Sequence, residues 1–231
     1  AELITKTQIL NQAIAWEKFA LFETIAWSPQ TGPKRLDQHL RRMEASAQHF
    51  GLVFDRPRAL EAIALAVGCL DCSVSEALFR LRLTLDGAGD FAAQLEPAPE
   101  SERVPQTLAL VPWRVNSQDP CLHHKTTHRD VYIRARKWVT QAHKPVHVEP
   151  LLVNERGEIT ETDIANVVFE LAGQLYTPPQ SSGLLPGVMR DALLRGGELQ
   201  ERVLGLEQLA DVEAFYLVND LRGWRDATLL S

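Results

Sequence analysis

With 231 residues, 45% of them hydrophobic and 23% charged, the chain can bury a core without disulfide or metal staples, as one large domain or two smaller ones. A net charge of −6 offers no basic surface to nucleic acid or an anionic membrane, and no run approaches the roughly 18 apolar residues of a membrane span. Small-molecule chemistry is the expectation, and a cytoplasmic setting, since AELITKTQIL lacks the basic and apolar regions of a signal peptide.

In chain order, the run LFETIAW after Ala20 predicts a strand that ends in the turn-rich SPQTGPK. A helix follows: in LDQHLRRMEASAQHFGL the apolar Leu36, Leu40, Met43, Ala47 and Phe50 recur at three and four, Asp37 suits the first turn and Gly51 stops it. Arg41 and Arg42 then occupy adjacent, different faces. Helices are expected from about Arg58 to Val67 and around Ser73 to Ala77. FRLRLTLD alternates apolar and polar residues, turns at GAGD and returns as a second strand, and TLALVPW is one more.

The polar, turn-rich segment 113–120 reads as a linker near the middle of the chain. Beyond it come a helix in DVYIRARKWVTQAH, then a strand, an NERGE turn, a short strand into ETD and a hairpin through AGQ. A further helix lies in GLLPGVMRDALLRGG, punctuated by Pro186-Gly187 and Gly196-Gly197, and the tail adds a helix near LEQLADVE and a strand in EAFYLVN. Strands grouped in meanders place the fold class at α+β, with one lobe over 1–112 and a second over 121–231. No GxGxxG or GxxxxGK[ST] is present to cradle a dinucleotide or a nucleoside triphosphate.

Cys69, Cys72 and Cys121 form an odd, sparse set with a single CxxC, and without a tight second pair of ligands buried thiols are expected in place of a zinc site. His124 and His128 would share a face if helical, but no HExxH accompanies them, so no metal is expected. In LHHKTTHRD, Lys125 stands among His123, His124, His128 and Arg129, cationic or potentially cationic neighbours that lower an amine's pKa toward nucleophilic use. By itself the stretch leaves both a solvated lysine and a reactive amine open. LLPGVMRD feeds a helix start whose N–H groups suit a phosphate or form a plain cap.

The ordered combination HKTTHRDVYIRA, NERGEITETDIANVVFE, TPPQSSGLLPGVMR and YLVNDLRGW resembles the class IV, fold type IV pyridoxal-phosphate enzymes, which include branched-chain and D-amino acid aminotransferases and aminodeoxychorismate lyase. LFETIAW, HLRRMEASAQHFG, HHKTTHR, GLLPGVMR and VNDLRGW are most similar to the lyase domain often fused behind aminodeoxychorismate synthase component I. The resemblance implies two α/β lobes of D-amino acid aminotransferase-like architecture with pyridoxal 5'-phosphate between them, a homodimer, and a synthase as a further partner.

Residue by residue, it implies that Lys125 carries the cofactor and acts as base, and that Glu161 partners the pyridine nitrogen. Arg42 and the N–H groups of Val188 and Met189 would hold the phosphate. Leu185 would pack on the ring and Thr24 would face the substrate. Arg129 and Arg222, with Arg225 nearby, would receive carboxylates. Met189 stands where relatives often have threonine, and His128 where lyases more often have asparagine. The implied reaction converts 4-amino-4-deoxychorismate to 4-aminobenzoate and pyruvate, for folate synthesis. An aminotransferase of branched-chain or D-amino acids is the alternative, and a non-catalytic module is disfavoured by the presence of both Lys125 and Glu161.

Overall fold

The computed structural model describes residues 19–69, 77–99, 104–142 and 148–230. These divide into two compact units, the first drawn from Ala1–Glu100 and His124–His128, the second from Ser101–His123 and Arg129–Ser231. The segment 113–120, expected as a linker, therefore lies inside the second unit, and the residues around Lys125 belong with the first. Among the described residues no helix is long and apolar enough to cross a membrane.

The first unit is built on a four-stranded sheet of order β2-β1-β3-β4. Its strands are β1 (Ala20–Ser28), β2 (Gly32–Pro33), β3 (Phe79–Asp86) and β4 (Phe91–Pro97), all antiparallel. Two helices follow β2: α1 (Leu36–Phe50) and α2 (Arg56–Gly68). The expected spacing holds in α1, where Leu40, Met43, Ala47 and Phe50 are buried against Leu21, Ile25 and Trp27 of β1 and the inward residues of β3. Each such buried side chain contributes about 1.5–3 kcal/mol. Gly51 ends α1 at φ +69, where its N–H closes on the carbonyls of Ala47 and Gln48. Asp55 caps α2 by accepting from the Arg58 N–H at 3.1 Å. The helix expected around 73–77 falls largely on 70–76, outside the described residues, as does Cys72.

Residues 124–128 are extended and run antiparallel along β1. Leu21 bridges Thr126, the Phe22 N–H donates to the Lys125 carbonyl at 2.9 Å, and the Thr127 N–H donates to the Ala20 carbonyl at 2.8 Å. His124 and His128 thus do not share a helical face.

The second unit has a seven-stranded sheet of order β6-β5-β11-β10-β7-β8-β9. The strands are β5 (Gln106–Leu110), β6 (Val148–Leu151), β7 (Asn166–Leu171), β8 (Gln174–Thr177), β9 (Gln200–Glu201), β10 (Ala214–Asn219) and β11 (Gly223–Leu229). Its helices are the short α3 (Pro120–His123), then α4 (Asp130–Ala142) and α5 (Val188–Arg195). Buried Leu108, Leu151, Val153, Val167, Phe169 and Leu217 fill one core, while Tyr132 and Ala135 of α4 pack with Val111, Val115 and Leu152 in another. LEQLADVE forms a 3-10 turn over Leu206–Asp211 in place of the expected helix. Strand β11 has no counterpart among the expected elements.

Candidate active site

The sheet register decides what surrounds Lys125. Because Leu21 bridges Thr126 and Phe22 bonds to Lys125, the lysine stands opposite Phe22, and its Nζ lies 4.7 Å from the centroid of the Phe22 ring. Thr24 is two residues along the same face of β1 and half-buried. Lys125 and Thr24 are thus brought together on one sheet face of the first unit. The histidines beside the lysine are engaged with other groups: His123 bonds the Ser117 carbonyl at 2.8 Å, while His124 bonds the Ser46 hydroxyl at 2.9 Å and stacks on His49 at 4.3 Å.

Glu23 turns the opposite way, toward α1, and is 1% exposed. Arg42 grips it with both ends of the guanidinium, Nε to Oε1 at 2.8 Å and Nη2 to Oε2 at 2.6 Å, and His39 Nδ1 meets Oε2 at 2.7 Å. Burial alone pushes the Glu23 pKa up, but the Arg42 charge and the hydrogen bonds from His39 and Arg42 outweigh it and bring it from 4.5 to about 2. The carboxylate therefore stays ionised and fixes the guanidinium in one orientation. Arg41, one residue away, is exposed and pairs with Asp37.

In the second unit Glu161 closes the base of a tight turn, bridging Asn166 while the Thr162 N–H bonds the Ala165 carbonyl at 2.9 Å. Its carboxylate is 4% exposed and accepts from the Tyr132 hydroxyl at 2.7 Å, the Leu185 N–H at 3.1 Å and the Asn166 amide at 3.1 Å. Burial first, then the Glu161 charge and hydrogen bond, raise the Tyr132 pKa well above its ordinary 10.0, so the phenol keeps its proton and donates. Asn166 also donates to the Leu185 carbonyl at 2.9 Å, tying the loop before α5 to the carboxylate. Val188 and Met189 open α5 behind Gly187, with no side chain capping their N–H groups.

A Cβ on Gly187 would sit 2.0 Å from Asn166 Oδ1, so glycine is needed there for close approach. Gly187→Ala should displace Asn166 and lower stability by about 1–3 kcal/mol through the amide left unsatisfied. Denaturant titration checks this, and an unchanged midpoint would show that the loop yields freely. Of the residues expected to meet carboxylates, Arg129 donates to the Asp163 carbonyl and lies 4.5 Å over the Tyr132 ring, while Arg222 is half-buried with its N–H on Asn219 Oδ1 at 2.8 Å. Arg225 is buried against Glu149 at 2.6 Å.

Glu23, His39 and Tyr132 were not singled out from the sequence. Glu23 did leave a signal: in L-F-E-T-I-A-W it shares the inward alternation of Leu21, Ile25 and Trp27, and an acid in a core position demands a cationic partner.

Residues 20–230 match the family described as amino-transferase class IV, and the chain belongs to that family. It is thereby an enzyme of a pyridoxal-phosphate-dependent family. The chain is 34% identical over 211 residues to a Schizosaccharomyces pombe protein provisionally named aminodeoxychorismate lyase, covering 89% of this chain and 87% of that one. A Mesorhizobium loti crystal structure, provisionally called an amino-acid aminotransferase, superposes with a TM-score of 0.82 at 37% identity, over 92% of this chain and all (100%) of that one. A hypothetical aminotransferase of Mycobacterium tuberculosis in its pyridoxal-phosphate-bound form shares the fold at a TM-score of 0.77 and 22% identity, over 94% of this chain and 82% of that one.

The donor set suits this cofactor. A buried carboxylate held by three donors at Glu161 matches a protonated ring nitrogen, and a guanidinium locked by Glu23, like an uncapped helix start after Gly187, matches a phosphate. Arg42, Val188 and Met189 would hold the phosphate, Leu185 the ring, and Lys125 the aldehyde carbon. Glu23→Gln should weaken pyridoxal-phosphate binding by about tenfold or more in equilibrium dialysis, because the charge that orients Arg42 is gone. Wild-type affinity in that variant would exclude Glu23 from the phosphate site.

The same residue predicts a pH dependence. Its folded pKa lies below its ordinary 4.5, so its contribution is fully present above about 4.5 and is lost as pH falls toward 2. Acid unfolding followed by circular dichroism should show this loss in the wild type, and Glu23→Gln should flatten the profile over that window.

Proposed function

We propose that the protein is an aminodeoxychorismate lyase, converting 4-amino-4-deoxychorismate to 4-aminobenzoate and pyruvate. The observation that carries this reading is the 34% identity to the fission-yeast protein of that name, sustained over 89% of this chain. Lys125 on an open sheet face with Thr24 beside it supports the assignment chemically.

When bound, pyridoxal phosphate supplies an electron sink conjugated with the carbon that bears the substrate amine. The Lys125 amine takes the proton from that carbon. Glu161, kept ionised by Tyr132, Asn166 and the Leu185 N–H, holds the proton on the pyridine nitrogen. The ring C–O bond to the enolpyruvyl group then breaks, with its electron pair leaving on oxygen, and the six-membered ring becomes aromatic. The proton taken by Lys125 returns to the departing oxygen, which the Thr24 hydroxyl steadies, and the released enol becomes pyruvate. Atoms balance without water or an oxidant. Arg129 and Arg222 are assigned to substrate carboxylates in this reading, and the active species is a homodimer.

A class IV aminotransferase is the second reading, favoured by the likeness to the Mesorhizobium loti structure. Mixing the cofactor-loaded protein with leucine or D-alanine, without a keto acid, separates the two. A transaminase would convert the cofactor to its aminated form within one turnover, whereas the lyase reading expects the cofactor spectrum to persist.

A further inference from the structure

The face of the first sheet that carries Lys125 also carries an arginine that the reaction scheme has not used. Across β1 and β3, Thr24 is paired with Arg82 and Phe22 with Thr84. Alternation puts Phe22, Thr24, Arg82 and Lys125 on one face, away from the side filled by Leu21, Ile25, Leu81 and Leu83. The Arg82 guanidinium carbon lies 4.1 Å from the Phe22 centroid and the Lys125 Nζ lies 4.7 Å from the same centroid. Lys125 approaches that ring from the segment on one side of β1, and Arg82 from β3 on the other. The neighbouring Arg80 stands opposite Glu96 and pairs with it at 2.5 Å, whereas Arg82 stands opposite Thr24 and Gln94.

We infer that Arg82 is a specificity-determining residue that receives a carboxylate of the substrate. Two cations sharing one aromatic ring repel each other, and an anion arriving beside the ring relieves that repulsion. A guanidinium offers a planar fork that takes a carboxylate through two N–H bonds, and the Thr24 hydroxyl opposite can add a third. Phe22 holds both cations at a fixed spacing. The arrangement selects amines that also carry a carboxylate and discriminates against neutral amines of the same shape. This rests on Lys125 as the reacting amine, and it assigns the recognition to a strand residue of the first unit.

The test is calorimetric titration of the pyridoxal-phosphate-loaded wild type, Arg82→Gln and Arg82→Lys with 4-aminobenzoate and with aniline, its carboxylate-free counterpart. The wild type should prefer 4-aminobenzoate by about tenfold or more, the scale of a charge-assisted pair. Arg82→Gln should bring the two ligands within about threefold of each other, and Arg82→Lys should restore part of the preference, since a point charge replaces the fork. Thermal melting shows whether each variant is folded, and the lysine variant keeps the test open if the glutamine variant is not. A wild-type protein without the preference, or a glutamine variant that keeps it, overturns the inference. If the preference depends on Arg82 but the wild type releases no pyruvate from 4-amino-4-deoxychorismate, the lyase reading falls and the carboxylate site stands.

Discussion

Lys125→Ala should reduce turnover by at least about 10⁴-fold while leaving the fold intact, because one substitution removes both the attachment point of the cofactor and the base that moves the proton. The fold should survive since the segment is tied to β1 through backbone groups, Phe22 N–H to the Lys125 carbonyl and Thr127 N–H to the Ala20 carbonyl, which alanine retains. The side chain contributes a contact of its Nζ with the Phe22 ring, worth about 0.5–1 kcal/mol at a partly exposed site. Borohydride reduction followed by peptide mapping gives a readout independent of turnover. The wild type should carry the reduced cofactor on Lys125, and the variant should carry none. A variant with wild-type turnover, or a wild type labelled at a different lysine, would remove Lys125 from the mechanism.

Glu161→Ala should slow proton removal by about 10²-fold or more, the scale expected when a preorganised charge is withdrawn from a reacting centre. It should also cost stability. The Tyr132 hydroxyl, the Asn166 amide and the Leu185 N–H would each lose a buried acceptor, at about 1–3 kcal/mol for a group left unsatisfied. Glu161→Gln separates the two effects, because it keeps the shape and an acceptor oxygen but lacks the charge. If the charge is what matters, Glu161→Gln should retain most of the stability yet turn over nearly as slowly as alanine. A primary deuterium isotope effect on the proton at the amine-bearing carbon should rise in both variants. Unchanged kinetics in Glu161→Gln would exclude the carboxylate from the electron sink.

The elements easiest to foresee were those whose pattern is local. Helix α1 announced itself through Leu40, Met43, Ala47 and Phe50 with Gly51 behind them, and the β3–β4 hairpin through the alternation of FRLRLTLD. Strand β11 escaped because its alternation is inverted: Trp224 and Asp226 face out while Arg225 and Ala227 face in, so no apolar stripe marks it. Only the pairing of Arg225 with Glu149 across the sheet makes that arrangement tolerable. The segment 113–120 looks like a linker in composition, yet Val115 and Ser117 are buried, the Val115 N–H bonds the Val153 carbonyl and Ser117 is held by Glu155.

The candidate site was legible unevenly for the same reason. Lys125 and Glu161 could be named from the ordered motifs, but composition and periodicity alone left Lys125 undecided. Its neighbours were read as a cationic cluster lowering the amine's pKa, whereas His123 and His124 are committed to Ser117 and Ser46. The partners of Glu161 are spread from Tyr132 to Leu185, and those of Arg42 lie on a strand and a helix joined only by the turn between them. Such sets form when the chain folds, and no spacing rule anticipates them. Arg82 illustrates the limit: its role follows from register with Thr24 and a ring shared with Lys125, both products of long-range strand pairing.

The most direct measurement of the central claim is product release from 4-amino-4-deoxychorismate by the pyridoxal-phosphate-loaded protein, with Lys125→Ala as the control. Equimolar pyruvate and 4-aminobenzoate from the wild type, and neither from the variant, is the predicted result. Absence of both products from a wild type that holds its cofactor would contradict the lyase assignment and turn the same site over to transamination.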